Sequence, residues 1–219
     1  GTDVLANEDI ELPVLSSFES LLDRFNARNA QTEITQDLVR IAIPTFSEQA
    51  FREALVNAFC HRDYTILNRI SVRFMDDGLE ITSPGGFVSG VTLENLMTVE
   101  PHPRNALLAD IFKRLGLAER TGRGIDRIFE GSLIYGRPCP DYSESSSESV
   151  RVFFPKCEAD IEFFKLILQY QKQINKRIPV QSLMILGSLL FSKRLSFEGI
   201  VKATQLPAYR LKRHVETLV

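Results

Sequence analysis

Tryptophan is absent from the 219 residues, and cysteine and histidine occur only three times each. Cys60, Cys139 and Cys157 are odd in number and widely spaced, so they can build neither a disulfide framework nor a CxxC metal knuckle. A reduced, cytoplasmic setting is the expectation. His61, His102 and His214 have no ligand spacing between them, which argues against a histidine metal site. No apolar run approaches the roughly 18 residues of a membrane span. The longest, residues 183–191, is broken by Gly187 and Ser188, and no membrane partner is expected. The start of the sequence lacks the succession of charged, apolar and small residues that marks a signal peptide. Twelve Gly and ten Pro are near average usage, which excludes collagen-like and low-complexity readings.

Charge of one sign is also missing, but only as a whole-chain average. The net charge is −2, from 26 basic and 28 acidic residues. From position 161 onward ten Lys/Arg face three acids, a surplus of seven that leaves −9 for residues 1–160. Such a split suggests different partners for two parts of the chain, the C-terminal part being the candidate for a polyanion. With 44% hydrophobic residues there is enough apolar mass for a core, and the length suits one large or two small domains.

Hydrophobic spacing supplies an element order. Residues 17–25 place Phe18, Leu21, Leu22 and Phe25 on one helix face, within a lead-in segment 1–30. Residues 34–43 read as a strand or hairpin that ends at Pro44. Ser47 suits the N-cap of a helix over about 48–60, whose apolar face is Phe51, Leu55 and Phe59. Residues 69–74 alternate with period two, Asp76-Asp77-Gly78 supplies a turn, and residues 79–82 return. Helices are expected over 105–115 and from about Gly124. The polar stretch 141–149 reads as an exposed loop, and 150–154 as one more strand. A domain boundary falls near 156–159, so that 31–158 form the first main domain and 159–219 the second. The second carries helices over 161–170, 181–190, 196–204 and 207–217.

Chemistry-bearing residues gather in the first of these domains. Glu53 and Asn57 are four apart and project from the same helix face. A carboxylate and an amide beside glycine loops offer a base or orienter for water and an oxygen ligand for a hard cation. The alternative is an ordinary solvated face. His61-Arg62-Asp63-Tyr64 with Asn68 has the spacing of the protein-kinase catalytic loop, but no kinase Gly-rich loop, strand lysine, DFG or APE accompanies it, and that reading is rejected. Ser83-Pro84-Gly85-Gly86 follows a strand, where glycine permits unusual dihedrals or close approach to a ligand. Gly122 and Gly124 precede a helix, whose free N–H groups suit a phosphate. Arg104-Asn105 stands at another helix start, suited to a phosphate or to capping. Each of these loops alone is equally well a turn.

In order, FREALVNAFCHRDY, a hairpin ending in ITSPGGF, and PRNALLADIFKRLGLAERTGRGIDRI resemble the ATPase-like domain of bacterial RecG-related transcriptional regulators. That domain is a branch of the GHKL nucleotide-binding fold, and the resemblance covers about residues 20–155. It implies an α/β fold, an α+β sandwich of Bergerat type with a mixed sheet and helices on one face. It also implies a following winged helix, and a preceding Schlafen/AlbA-type domain that these residues do not contain, so a piece of a longer polypeptide is expected. By the same resemblance Glu53 matches the water-activating glutamate and Asn57 the magnesium ligand. Ser83, Gly85 and Gly86 match the first glycine box, and Gly122 and Gly124 the second. Mg-ATP is the cofactor implied. Ser83-Pro84 stands where the adenine-reading aspartate is expected, and Pro84 offers no N–H. No GxxxxGK[ST] loop supports a helicase motor.

In the basic part, 196–206 followed by 207–218 fits a helix-turn-helix, with Ser196 as cap and Pro207 opening the second helix. Leu211, Val215 and Leu218 give that helix a buried face, and Tyr209, Arg210, Lys212 and Arg213 a side for phosphates and base edges. Three readings stay open: a DNA-binding regulator with an ATPase-like domain, a Mg-ATP-hydrolysing enzyme, and a non-enzymatic module that forms a homodimer or binds another protein.

Overall fold

The computed structural model of the chain describes residues 7–36, 39–100, 102–118, 122–192, 194 and 196–216. In order these form α1 (Val14–Arg28), β1 (Gln31–Gln36), β2 (Val39–Pro44), α2 (Glu48–His61), β3 (Ser71–Phe74), β4 (Gly78–Pro84), α3 (Ala106–Arg114) and α4 (Gly124–Leu133). Then follow β5 (Ser149–Pro155), α5 (Ile161–Ile174), α6 (Val180–Ser192), α7 (Phe197–Thr204) and α8 (Ala208–Glu216). No helix among the described residues is long and apolar enough to cross a membrane.

β1 and β2 pair as an antiparallel hairpin with Ile34 opposite Ile41. Asn29 clips its base: its side chain donates to the Phe46 carbonyl at 2.8 Å and accepts from the Phe46 N–H at 2.9 Å. Ser47 then starts α2 as expected, its hydroxyl accepting from the Ala50 N–H at 3.2 Å. Nine of the fourteen α2 residues are buried, Glu53 among them, which makes this helix the centre of the molecule.

The second sheet has the order β3-β4-β5, and both pairings are antiparallel. The mixed sheet that the resemblance implied is corrected accordingly. The tight turn at Asp76-Asp77 forces β3 and β4 to run in opposite directions, and the return through α3 and α4 brings Ser149 to Pro84, so β5 runs against β4. One sheet face presents Leu79, Ile81, Val152 and Phe154 to the core. The other carries Glu80, only 1% exposed, held by the guanidiniums of Arg73 and Arg151.

The stretch 141–149 is not simply an exposed loop. Asp141 exchanges two 2.8 Å backbone hydrogen bonds with Phe153, and Tyr142 is buried with its ring parallel to that of Phe129. Polarity of the surrounding serines conceals one anchoring aromatic.

A phenylalanine-rich core joins these layers. Phe25 stacks on Phe51 with ring centroids 4.0 Å apart, and Phe18 meets both Phe59 and Phe112. The cluster crosses the 156–159 boundary and includes Phe163, Ile167, Ile178, Val180, Leu183 and Met184. A separate small cluster of Ile185, Leu206 and Leu211 holds α7 and α8 against α6. Ser196 caps α7, accepting from the Gly199 N–H at 3.1 Å, and the Leu211 N–H closes on the Pro207 carbonyl, also at 3.1 Å.

Candidate functional site

Helix α2 lays out one polar line at helical spacing, Glu53, Asn57 and His61. α4 begins against the first two. A Cβ added to Gly124 would stand 3.0 Å from Glu53 Oε2 and 4.0 Å from Asn57 Oδ1. Glycine is therefore what permits a helix N-terminus to approach a buried carboxylate and its neighbouring amide so closely. Gly122, two residues earlier, has φ 74°, the left-handed conformation that glycine tolerates. The sequence reading grouped Glu53, Asn57, Gly122 and Gly124, and the fold places Glu53, Asn57 and Gly124 together.

The other candidate residues are engaged differently. Ser83 Oγ donates to the Ala58 carbonyl at 2.8 Å, stapling β4 to α2. The N–H groups of Gly85 and Gly86 donate to the carbonyls of Glu148 and Ser147, at 2.7 and 3.1 Å. They are thus occupied by the 146–149 turn. A Cβ on Gly85 would come within 2.7 Å of Asp63 Cβ, and one on Gly86 within 2.7 Å of the Ser147 carbonyl oxygen. Close packing of three loops accounts for the glycine pair.

Arg104 and Asn105 fix the end of α2. Arg104 donates from Nη1 to Asp63 Oδ2 at 2.9 Å and from Nη2 to the Gly86 carbonyl at 2.8 Å. Asn105 does not cap its own helix through its side chain; Nδ2 donates to the carbonyls of Cys60 and Arg62, at 3.0 and 2.8 Å. Carbonyls that the α2 C-terminus leaves without helical partners are thereby met, that of Cys60 also by the Asn105 backbone N–H at 2.9 Å. Asp63 also accepts from the hydroxyl and N–H of Thr65, and those bonds, with the Arg104 charge, hold its carboxyl below the usual range. Cys60, beside these residues, is buried, and burial pushes its thiol up to about 12, which makes it unreactive.

A cavity of about 110 Å³ lies between α2, the sheet and the segment after Gly86. Asn57, Ala58 and His61 form one wall, Ile81 and Ile125 others, and Val91 and Leu96 a roof. His61 is held neutral, its pKa lowered by burial and then by the Arg104 charge. It was dismissed in the sequence as a metal ligand. Its four-residue step from Asn57 is the signal that puts it in the cavity wall. Among the described residues, no group of three or more His, Cys, Asp or Glu could hold a metal ion. Glu53 and Asn57 supply two oxygens of the kind magnesium accepts, with phosphates and water needed for the rest.

In the C-terminal part, α8 buries Leu211 fully and exposes Lys212. The side chains of Tyr209, Arg210 and Arg213, and residue Leu218, lie outside the described residues.

Residues 68–154 match the family described as "Putative ATP-dependent DNA helicase recG C-terminal". A solved structure, that of the DIP2311 protein from Corynebacterium diphtheriae, superposes with TM-score 0.83 at 24% identity over 99% of this chain. The chain spans 44% of that protein's chain, and at this identity the likeness speaks for the fold. No curated protein matches the sequence. The likeness to a RecG C-terminal-like, ATPase-like domain thus rests on residues 68–154, and α2 with Glu53 and Asn57 precedes the matched stretch.

Proposed function

We propose that this chain is a nucleotide-responsive DNA-binding regulator, in which the ATPase-like domain takes a magnesium nucleotide and the basic α7–α8 unit touches DNA. The observation that carries the nucleotide half is the approach of Gly124 to Glu53 and Asn57, with a cavity continuing from Asn57 to His61. When bound, magnesium would polarise the phosphates. Asn57 would offer it an amide oxygen, the α4 N-terminus would face the anion, and Glu53 would orient water. About 110 Å³ is below the roughly 300–1,000 Å³ of ordinary ligand pockets, so a nucleotide requires the roof over 91–96 to lift. The DNA half is supported by the seven-charge surplus after position 160 and by an α8 that packs Leu211 toward α6 and leaves Lys212 exposed.

Thermal unfolding with Mg-ADP or Mg-ATP tests the first half. A ligand at 100 times its Kd stabilises by about 2.7 kcal/mol, and Asn57→Ala should abolish the shift. No shift in the wild type sinks the nucleotide reading. DNA retention should fall steeply with salt and be lost in Arg210→Ala/Arg213→Ala. A second reading, a scaffold that has kept the fold without the ligand, is favoured by the occupied N–H groups of Gly85 and Gly86. It would leave unfolding indifferent to nucleotide.

A further inference from the structure

Gln205 sits at the turn between α7 and α8 with φ 55°, a left-handed backbone that glycine adopts freely and other residues adopt at a cost. Its side chain does not serve the turn. The amide reaches more than a hundred positions back along the chain, where Nε2 donates to the Leu93 carbonyl at 2.6 Å and Oε1 accepts from the Met97 N–H at 3.1 Å. Both ends of the amide are used, so its orientation is fixed and a shift of either partner strains two bonds together. Leu96, which roofs the cavity, lies between the two residues so held, and the Met97 side chain is buried in the main core. On the far side, Leu206 follows Gln205 directly and belongs with Leu211 to the small cluster that seats α7 and α8.

We infer that Gln205 is a latch between the cavity roof and the α7–α8 unit, so that lifting the roof loosens the unit and releasing the unit frees the roof. A ligand larger than the present cavity displaces 91–96, moves the Leu93 carbonyl and the Met97 N–H, and strips Gln205 of both partners. Thermodynamic reciprocity then requires that loss of the latch strengthens binding of any such ligand. The ligand half of this inference rests on the nucleotide reading above; the latch does not.

Amide hydrogen exchange on the whole chain tests it. Gln205→Gly keeps the left-handed backbone, which glycine adopts freely, and removes the side chain that carries the amide. Exchange at the Met97 N–H should accelerate by up to about tenfold, the worth of one net hydrogen bond at the upper end of its range, and exchange in α8 should accelerate with it. Val91→Phe enlarges the roof without any ligand; it should speed exchange in α8 when Gln205 is present and add nothing in the Gln205→Gly background. Mg-ADP should bind Gln205→Gly roughly fivefold or more tightly than the wild type, at the lower end of ordinary coupling. Unchanged Met97 exchange in Gln205→Gly overturns the latch, and an α8 indifferent to Val91→Phe overturns the coupling. If Mg-ADP binds neither protein the nucleotide reading fails, and the two ligand-free arms still decide the latch.

Discussion

Helix α2, of fourteen residues, and helix α8, of nine, are held in opposite ways. α2 buries nine residues, is capped at its start by Ser47, and has its final carbonyls met by Asn105. α8 buries Leu211 in a cluster that, among the described residues, has two other buried side chains, Ile185 and Leu206. Local opening free energies follow buried apolar contact, so α2 should open only with the whole molecule while α8 opens by itself. The regulator proposed above would need such a division: a site requires fixed geometry, whereas a reader that has to be engaged and released requires a shallow seat.

The widest test of this contrast pairs Phe51→Ala with Leu211→Ala. Phe51 stacks on Phe25 and is 1% exposed, so its truncation should cost about 3–5 kcal/mol and lower the global Tm by about 10 °C. Leu211 is just as buried, at 0%, yet its truncation should appear as faster hydrogen exchange in 197–216 and, through Gln205, at the Met97 N–H, with the main unfolding transition little moved. Equal losses in the global transition would mean that the two parts fold as one unit, and the contrast would be gone.

A smaller effect is expected where α4 crosses α2. A Cβ at Gly131 would lie 2.7 Å from both Ala50 Cβ and Ser47 Cβ and 2.8 Å from the capping hydroxyl of Ser47. Helix propensity favours alanine over glycine by about 1 kcal/mol, whereas forcing two packed helices apart costs about 1–3 kcal/mol. Backbone-proximal atoms cannot rotate away, so the clash should win, and Gly131→Ala should lower the unfolding free energy read by chemical denaturation by about 1 kcal/mol net. A stabilised variant would show that the crossing is looser than its geometry implies. The matching change at Gly124 meets only a carboxylate oxygen at 3.0 Å. Gly124→Ala should therefore leave stability nearly unchanged and weaken Mg-ADP binding, read by calorimetry.

What could be read from the sequence follows the range of the interactions. Ser47, Ser196 and the Asp76-Asp77 turn act within a few residues, and each was legible with its partner. The Glu53–Asn57 pair was legible because a helix sets its own neighbours. Gly131 was not, since only the crossing of α2 explains it, and Glu80 looked like any outward-facing strand residue before Arg73 and Arg151 closed over it. A helix start suggests a phosphate or a cap for Arg104 and Asn105, whereas the nearby carbonyls and carboxylate of the α2 terminus take up their side-chain donors. Gln205 carried no signal at all, because its partners lie in a distant segment without any motif.

The smallest and most selective test uses pH. His61 has its pKa lowered below the ordinary 6.5, first by burial and second by Arg104. For a base depressed in the native state, the unfolded chain takes up the proton first as pH falls. Stability is therefore greatest above pH 6.5 and declines below it, until the lowered native value is passed and the native state protonates as well. Asp63 acts in a different window. Its carboxyl is depressed below 3.8 by the Thr65 hydrogen bonds and by Arg104, so its contribution is present above that value and disappears in more acid solution. A denaturation midpoint followed from pH 7.5 to pH 5 should thus fall in the wild type and stay flatter in His61→Gln, with the difference registering in α2 and the cavity wall rather than in α8. If His61→Gln declines as steeply as the wild type, the acid sensitivity originates elsewhere, and the α2 end of the site is more open to water than its burial suggests.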